Sequence, residues 1–408
     1  MGSARDDAES EHEESYDRHS IPGEIMNSWF IILIMIGLHE PQANGMDADL
    51  MARPSHAMGF ENACQLTSAK QFVKAGESYI SPDGSMVVFQ AVPVPPEGEE
   101  PDSHYGMYLG DLVMHEDSSP RWTLENIRRI SPEDAANTCG WFHPQHANRV
   151  IFASTIETPD DSPAPGYQRD SRDYRWEFPP EMRIVEARID GGMPPALRLI
   201  EGDEKNYQAE CSISPDGRHL LYTSLESGDG DIFVKDLQTG KRIDLVMAPG
   251  YDGGPFFSPD GKRICYRSDR KNDDHLQIFV SELAFDESGA ITGIEREIQV
   301  TDNEFVNWAP FWHSNGRSLV YATSEEGHYN YEIFIVDADP GDLQEGRPTR
   351  YGTRRSRVTS SMGFDGLPAF NADSSLMIWT SKRKDDSSQL YIAEFPDPEV
   401  FLKRKAAH

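Results

Sequence analysis

The chain has 408 residues, a formal net charge of -31 at pH 7 and only 4 cysteines. This acidic balance argues against binding of DNA, RNA or an anionic lipid surface, because each of these needs a basic footprint. The cysteines are too few for a disulfide scaffold and show no Cys-x-x-Cys spacing, which argues against a zinc site. We therefore expect buried, unreactive thiols.

The N-terminal region combines an acidic tail with an apolar segment. Residues 1–25 are rich in Asp and Glu and predict a disordered tail. In the following segment, 26–45, the apolar run 29–38 is long enough for a signal-peptide core but too short to span a bilayer. The acidic tail is atypical of a signal peptide, although a start at Met26 would remove that objection. We predict export; the alternative is a buried or interfacial segment, or a membrane tether.

One short turn motif recurs along the rest of the chain. Its clearest form is Ser-Pro-Asp-Gly, in which Pro fixes φ, Asp bonds to nearby backbone N–H groups and Gly accepts a positive φ. Each copy precedes a β-rich run that ends in an aromatic residue, so each copy predicts a β-hairpin. Repeats of this size are typical of propellers and arrays. The copies lie at residues 81–84, 143–146, 214–217, 258–261, 313–316 and 371–374.

Each hairpin is followed by further strand-like segments, which complete a four-stranded unit. The last unit has no fourth strand of its own, whereas residues 64–67 look like a fourth strand without a unit. Pairing 64–67 onto 389–394 would close a ring and leave no free sheet edge. We therefore predict an all-β fold, a six-bladed β-propeller over residues 63–395 closed by an N-terminal strand, with a C-terminal tail at 396–408.

Three segments of the predicted blades carry a resemblance to a known family. They are 250–261, with Gly-Tyr-Asp-Gly-Gly-Pro before its turn, 307–310 and 363–368, and they resemble the TolB-like family of WD40-like propeller proteins. The resemblance covers the propeller and implies a binding protein of the bacterial envelope. TolB itself also has an N-terminal α/β domain, for which residues 1–62 are too few, so we expect the likeness to stop at the propeller.

The starts of the six inner strands are the candidate binding site. The first strand of each blade lies nearest the central channel, so the residues six to eight positions before the third residue of each turn converge on one channel mouth. Four of these residues are acids, Glu77, Glu210, Asp252 and Asp365, and they would repel one another unless a cation or basic group lies among them. The candidate binding residues are Glu77, Asn137, Thr138, Glu210, Tyr251, Asp252, Asn307, Trp308, Phe364 and Asp365.

Two interpretations of these residues remain open. In the first, the acids, Thr138 and the amides bind a ligand, and the aromatic residues offer it flat apolar faces. In the second, the acids are solvated in a wet channel and the aromatic residues pack between blades, which is the commoner role of aromatic side chains. The long loop 155–180, with Tyr167, Tyr174, Trp176 and Phe178, is expected to fold over the mouth.

The sequence shows no catalytic motif. Gly-x-Ser-x-Gly, His-Glu-x-x-His and a glycine-rich phosphate loop are all absent from it. We therefore predict a monomeric, non-enzymatic binding propeller of the periplasm or cell surface, without cofactor or metal, that recognises a protein segment or a glycan at the acidic mouth. One alternative is a polysaccharide lyase or hydrolase that uses the acids, with or without a metal, for which His104, His275 and His328 are the candidate ligands. Another is a structural platform that works through its outer blade surfaces.

Overall fold

A computed structural model describes residues 60, 62–160, 179–203, 205–271, 273, 275–341, 343–344, 347–348, 351–383 and 387–403. The predicted tail 1–25, the apolar segment 26–45 and the four aromatic residues of the loop 155–180 lie outside these residues. None of the helices in the described ranges is long and apolar enough to cross a membrane.

The recurring turn motif forms hairpin turns with the expected local contacts. The carboxylate Oδ1 of Asp83 accepts the backbone N–H of Ser85 at 3.1 Å, and Gly84 has a φ of 76°. In a degenerate copy the ring of His143 takes over local capping, since its Nδ1 accepts the backbone N–H of Gln145 at 3.2 Å. The repeated phrase is therefore scaffold in its intact and its degenerate forms alike.

The first three blades are consecutive four-stranded antiparallel sheets. Their innermost strands are β2, β6 and β10, which contact one another around the axis. The strands of blade 1 are β2 (Phe72–Ile80), β3 (Met86–Pro93), β4 (Gly106–Met114) and β5 (Trp122–Arg129). The strands of blade 2 are β6 (Asn137–His143), β7 (His146–Ser154), β8 (Arg183–Arg188) and β9 (Leu197–Glu201). The strands of blade 3 are β10 (Gln208–Ile213), β11 (His219–Ser224), β12 (Asp231–Asp236) and β13 (Arg242–Val246).

The remaining three blades complete the ring, and the sixth borrows its outer strand from the N-terminal side. The strands of blade 4 are β14 (Asp252–Phe257), β15 (Arg263–Ser268), β16 (Gln277–Phe285) and β17 (Ile291–Gln299). The strands of blade 5 are β18 (Asn307–Trp312), β19 (Ser318–Thr323), β20 (Glu332–Asp337) and β23 (Arg355–Arg357), with the hairpin β21 (Leu343–Gln344) and β22 (Arg347–Pro348) inserted before β23. The strands of blade 6 are β24 (Phe364–Phe370), β25 (Leu376–Lys382), β26 (Gln389–Glu394) and β1 (Cys64–Gln65).

The ring closes through β1, which pairs antiparallel with β26. Cys64 lies opposite Ile392 and Gln65 opposite Tyr391. A hydroxyl that follows the fourth strand then accepts a backbone N–H of the third strand, an arrangement repeated in four blades. These contacts are Ser131 with Met107 at 3.0 Å, Thr301 with Ile278 at 2.8 Å, Thr359 with Ile333 at 2.9 Å and Thr67 with Leu390 at 2.9 Å. The prediction of a six-bladed propeller closed by an N-terminal strand is confirmed.

The core lies between the blades. The aromatic residue that ends each β-rich run is fully buried in all six blades, and each such side chain contributes about 1.5–3 kcal/mol of hydrophobic free energy. These residues are Phe89, Phe152, Tyr222, Tyr266, Tyr321 and Trp379. The short helix α1 (Glu399–Leu402) follows β26, and its Phe401 packs against Phe395 with ring centroids 5.3 Å apart.

The four cysteines are unpaired and buried. Burial raises the pKa of the Cys139, Cys211 and Cys265 thiols above the ordinary value. A protonated thiol is a poor nucleophile and a poor metal ligand. These three cysteines, which lie on the first or second strand of their blades, therefore act as small apolar side chains.

Candidate binding site at the channel mouth

Every inner strand carries a β-bulge at the same position, six residues before the third residue of its turn. In each strand the register with the second strand shifts there, and the bulged residue has a positive φ. Such a φ is uncommon for residues other than glycine. The bulge residues are Glu77 (φ 40°), Cys139 (56°), Glu210 (55°), Gly254 (61°), Ala309 (50°) and Leu367 (53°).

The bulges direct their side chains toward the propeller axis. Glu77 of blade 1 interacts electrostatically with Glu210 of blade 3 and with Arg267 of blade 4, and it hydrogen-bonds Cys139 of blade 2. A bulge inserts one residue into a strand and re-aims the side chain next to it. The six bulge residues thus form a ring, which we call the bulge ring, around the channel below its mouth.

Glu210 is the fully partnered acid of the bulge ring. Its carboxylate forms an ion pair with Arg267 of β15. One oxygen, Oε2, also accepts the hydroxyl of Tyr251 at 2.7 Å, the backbone N–H of Gly254 at 2.7 Å and the hydroxyl of Thr223 at 3.0 Å. The negative charge of Glu210 is therefore neutralised and hydrogen-bonded inside the protein.

Gly254 leaves the space that Arg267 occupies. A Cβ atom at position 254 would lie 2.1 Å from Nη1 of Arg267, and its φ is 61°. The close approach of the guanidinium requires glycine at this position, whereas the other five bulge residues carry a side chain at a similar φ. Sequence reasoning missed Arg267, although it is the one basic residue at its position in the six second strands.

Glu77 has a different environment from Glu210. Its Oε1 accepts the hydroxyl of Tyr79 at 3.3 Å, and its Oε2 accepts the hydroxyl of Thr138 at 3.4 Å. Among the residues that the structure describes, no Lys, Arg or His forms an ion pair with Glu77. Burial raises the pKa of Glu77, and the charge of Glu210 adds to the rise, against the hydrogen bond from Cys139 and the charge of Arg267.

Four aromatic rings fill the channel directly below the bulge ring. Their centroids lie between 5.0 Å (Tyr79 to Trp141) and 6.1 Å (Tyr79 to Phe311) apart. Each occupies the same position, two residues after the bulge, in four of the six inner strands. Sequence reasoning missed this aromatic floor, although the aromatic residue recurs at one position of four repeats. The aromatic floor consists of Tyr79, Trp141, Phe256 and Phe311.

Four of the predicted site residues are buried instead of facing the open mouth. Asn137, Asp252, Asn307 and Asp365 stand at the very start of their strands and are almost fully buried. They hold neighbouring loops and strands: Asn137 Nδ2 donates to the carbonyl of Tyr105 at 2.9 Å and Asn307 Nδ2 to that of Phe305 at 3.0 Å. Asp252 accepts the N–H of Ala248 at 3.0 Å, and Asp365 pairs with Arg383 at 3.0 Å.

This placement corrects the expectation that both sets of residues line the mouth together. A side chain two residues along a regular strand points to the same face, but the bulge breaks that alternation between position eight and position six before the turn residue. Glu77 and Glu210 therefore reach the axis, and the other predicted acids and amides remain in the blade walls. Thr138, the neighbour of a bulge, contacts Glu77 and Gln90.

The three predicted aromatic residues pack between blades. Tyr251, Trp308 and Phe364 are buried in one apolar cluster, and the rings of Trp308 and Phe364 lie 6.2 Å apart. Tyr251 also reaches the site, since its hydroxyl donates to Glu210. His104, His275 and His328 do not assemble a metal site, because no group of three His, Cys, Asp or Glu in the described part of the chain is arranged to hold a metal ion.

The loops around the mouth expose apolar side chains. Tyr329 is 62% exposed and Met362 76% exposed, and the loops that carry them are joined by a hydrogen bond from the N–H of Gly363 to Oδ1 of Asn330 at 2.9 Å. Met247 and Val94 are exposed on other loops of the same face. We call these four residues the apolar rim. The opposite face has a groove of about 630 Å³ lined by residues including Lys262, Phe285 and Arg317.

Comparison with known proteins supports a TolB-like propeller. No family model matches the chain. TolB of Francisella tularensis is 33% identical over 76 residues, 19% of this chain and 18% of that one. A TolB homolog of Chlorobium luteolum is 29% identical over 186 residues, 46% of this chain and 34% of that one.

The chain thus spans well under half the length of these two curated relatives. The crystal structure of TolB from Acinetobacter baumannii matches 81% of this chain and 62% of its own at 15% identity, with a TM-score of 0.47. The chain is thus a closed ring of six four-stranded blades, and its sequence resembles that of TolB over part of its length.

Proposed function

We propose that the chain is a non-enzymatic binding propeller of the bacterial envelope that recognises a segment of a partner protein at its channel mouth. The observation that carries this proposal is the layered construction of one face. An apolar rim surrounds the mouth, two carboxylates and an arginine lie at the bulge ring, and an aromatic floor closes the channel below them. Convergent polar groups above an apolar base are typical of binding sites.

The composition of the apolar rim favours a protein segment over a glycan. Methionine side chains are flexible and polarizable and are common at adaptable protein-binding surfaces. Met247 and Met362 are both exposed, and Tyr329 is the one strongly exposed flat ring among the large apolar residues that the structure describes on this face.

Placement in the envelope rests on the N-terminal sequence and on the relatives. The apolar run 29–38 has the length of a signal-peptide core. Two of the relatives carry the name TolB, one of them as a protein of the Tol-Pal system. Both observations support a periplasmic or surface location for this propeller.

The proposal is tested by capturing a partner protein with the wild-type chain and with two variants, one altered on the mouth face and one on the opposite face. The mouth variant carries Tyr329→Ser and Met362→Ser, and the control carries Phe285→Ser on the opposite face, where Phe285 is 43% exposed. Purified proteins are immobilised and exposed to a detergent extract of the envelope, and bound proteins are identified by mass spectrometry. A partner held by the wild type and by the control, but lost by the mouth variant, supports the proposal. A partner held equally by the mouth variant overturns it.

A further inference from the structure

We propose that the subsite at Glu77 receives one basic side chain, lysine or arginine, from the partner segment. This inference rests on the proposed function, since it names the chemistry of the group that enters the same mouth. It follows from the different environments of Glu77 and Glu210, which occupy equivalent positions of the bulge ring.

Glu210 is not available to a ligand. Its carboxylate already has Arg267 as a charged partner and accepts two hydroxyl groups and one backbone N–H. Both side chains of the ion pair are largely buried, 10% exposed for Arg267 and 13% for Glu210. A cation that approached Glu210 would have to displace a charge-assisted contact that the protein supplies itself.

Glu77, in contrast, is available to a ligand. It is partly exposed, in contrast to the inner-strand acids Asp252 and Asp365. It lacks a basic partner among the described residues, and its two hydroxyl contacts, with Tyr79 and Thr138, are long at 3.3 and 3.4 Å. A carboxylate in such a place gains from a cation that arrives with the ligand, because part of the desolvation of the carboxylate has already occurred on folding.

The aromatic floor lies directly beneath Glu77. Tyr79 belongs to the aromatic floor and also donates its hydroxyl to Glu77, so the carboxylate stands at the edge of the four rings. The carboxylate attracts the charged end of a basic side chain, and the partly exposed rings of the aromatic floor offer apolar contact to its stem.

The rest of the bulge ring suits the stem of such a side chain. Ala309 and Leu367 are apolar, and Leu367 is partly exposed. Lysine and arginine have long aliphatic stems that pack on apolar surface while the charged end reaches a polar group. The strongly acidic chain, with a net charge of -31, would also draw a basic segment toward the mouth.

A displayed library of random heptapeptides is the probe. Binders are selected on the wild type, on Glu77→Gln, on Glu77→Lys and on the control Glu295→Gln, whose residue lines the groove of the opposite face. Thermal melting of each variant verifies that it is folded. Selected peptides are then synthesised, and their affinities are measured for all four proteins and for the rim variant with Tyr329→Ser and Met362→Ser.

The proposal expects one Lys or Arg to be enriched in peptides selected on the wild type and on Glu295→Gln. Glu77→Gln should lose this enrichment and bind such peptides about tenfold more weakly, a change of about 1.4 kcal/mol. Glu77→Lys should select acidic residues instead. Peptides that bind through the rim but show no basic residue, or that bind Glu77→Gln as well as the wild type, overturn the inference and leave the proposed function standing. Peptides that ignore both the rim and Glu77, or an absence of binders, count against both.

Discussion

Arg267 and Glu210 form an ion pair across the joint between blades 3 and 4, at the level where every inner strand bulges. Removal of the guanidinium would leave a buried carboxylate without its counter-charge. We expect Arg267→Gln to lower the free energy of unfolding by about 3 kcal/mol in urea titrations. The control, Arg296→Gln, removes the partner of Glu282 in a pair that is 29% and 18% exposed, and should cost about 1 kcal/mol or less. Equal losses in the two variants would contradict the special role given to Arg267.

Gly254 should tolerate a side chain poorly, because a Cβ atom there would collide with Arg267 in addition to straining the backbone. A Cβ there meets Arg267 Nη1 at 2.1 Å on a backbone with a φ of 61°. The matched control is Gly84, which has a φ of 76° and nothing within 4 Å of its Cβ. Gly84→Ala should cost only the backbone strain, about 1–2 kcal/mol.

Gly254→Ala should cost clearly more than Gly84→Ala in the same urea titration, because it adds displacement of the guanidinium to the same strain. It should also weaken the ion pair with Glu210. If the two substitutions destabilise the protein equally, Arg267 does not depend on the missing Cβ.

Stability should fall as pH rises from about 7 to 8, where buried acids are still losing protons and His143, His219 and His313, whose pKa is lowered by burial, are already neutral. Burial raises the pKa of Asp231 to about 6, of Asp252 to about 7 and of Glu332 to about 8. The folded state therefore holds protons that the unfolded chain has released, so these groups stabilise fully at low pH and lose that contribution as pH rises through their folded pKa values. Melting temperatures measured across this range should decrease.

Single substitutions distinguish the effect of these buried acids on the pH dependence of stability from the effect of the other ionisable groups. Asp252→Asn should flatten the decline of melting temperature with pH. Asp260→Asn should leave it unchanged, because the pKa of Asp260 is lowered and Asp260 does not titrate between pH 5 and 8. Burial alone would raise that pKa, but the hydrogen bonds from Ser258 and the backbone of Lys262, with the charges of Arg263 and Lys262, together outweigh burial. A melting temperature that rises with pH in the wild type would contradict the assignment.

Closure of the ring through the N-terminal strand can be tested at one hydroxyl. The side chain of Thr67 is buried and accepts the N–H of Leu390 at 2.9 Å. Thr67→Val keeps the shape but leaves that N–H without an acceptor, which should cost about 1–3 kcal/mol of unfolding free energy. Thr239→Val, at a hydroxyl that accepts an exposed N–H of Lys241, should be nearly neutral. A neutral Thr67→Val would mean that this contact does not help to hold β1 on β26.

The sequence was informative wherever a local pattern determines the structure. The turn motif, the aromatic residue after it and the hydroxyl after the fourth strand each act through neighbours on the same hairpin or sheet. The unpaired fourth strand at 64–67 then required closure of the ring. These features predicted the architecture, and Glu77, Thr138 and Glu210 of the predicted site do come together.

The geometry of the site depends on the β-bulge, which no local sequence pattern predicted. The bulge shifts the alternation of side chains by one residue, so counting by two from the turn placed Asn137, Asp252, Asn307 and Asp365 at the mouth, whereas the structure buries them. Arg267 and the aromatic floor were visible only in comparison between the repeats. An aligned view of the six units, position by position, would have shown one arginine and four aromatic residues facing the axis.

Photo-crosslinking in cells tests most directly whether the mouth is the binding face. A photoreactive amino acid is placed at position 329 on the apolar rim, or at position 285 on the opposite face, in otherwise unchanged chains. The account predicts a crosslinked partner protein from position 329, with a lower yield when Glu77→Gln is added, and none from position 285. A partner crosslinked from position 285 and not from position 329 would contradict it.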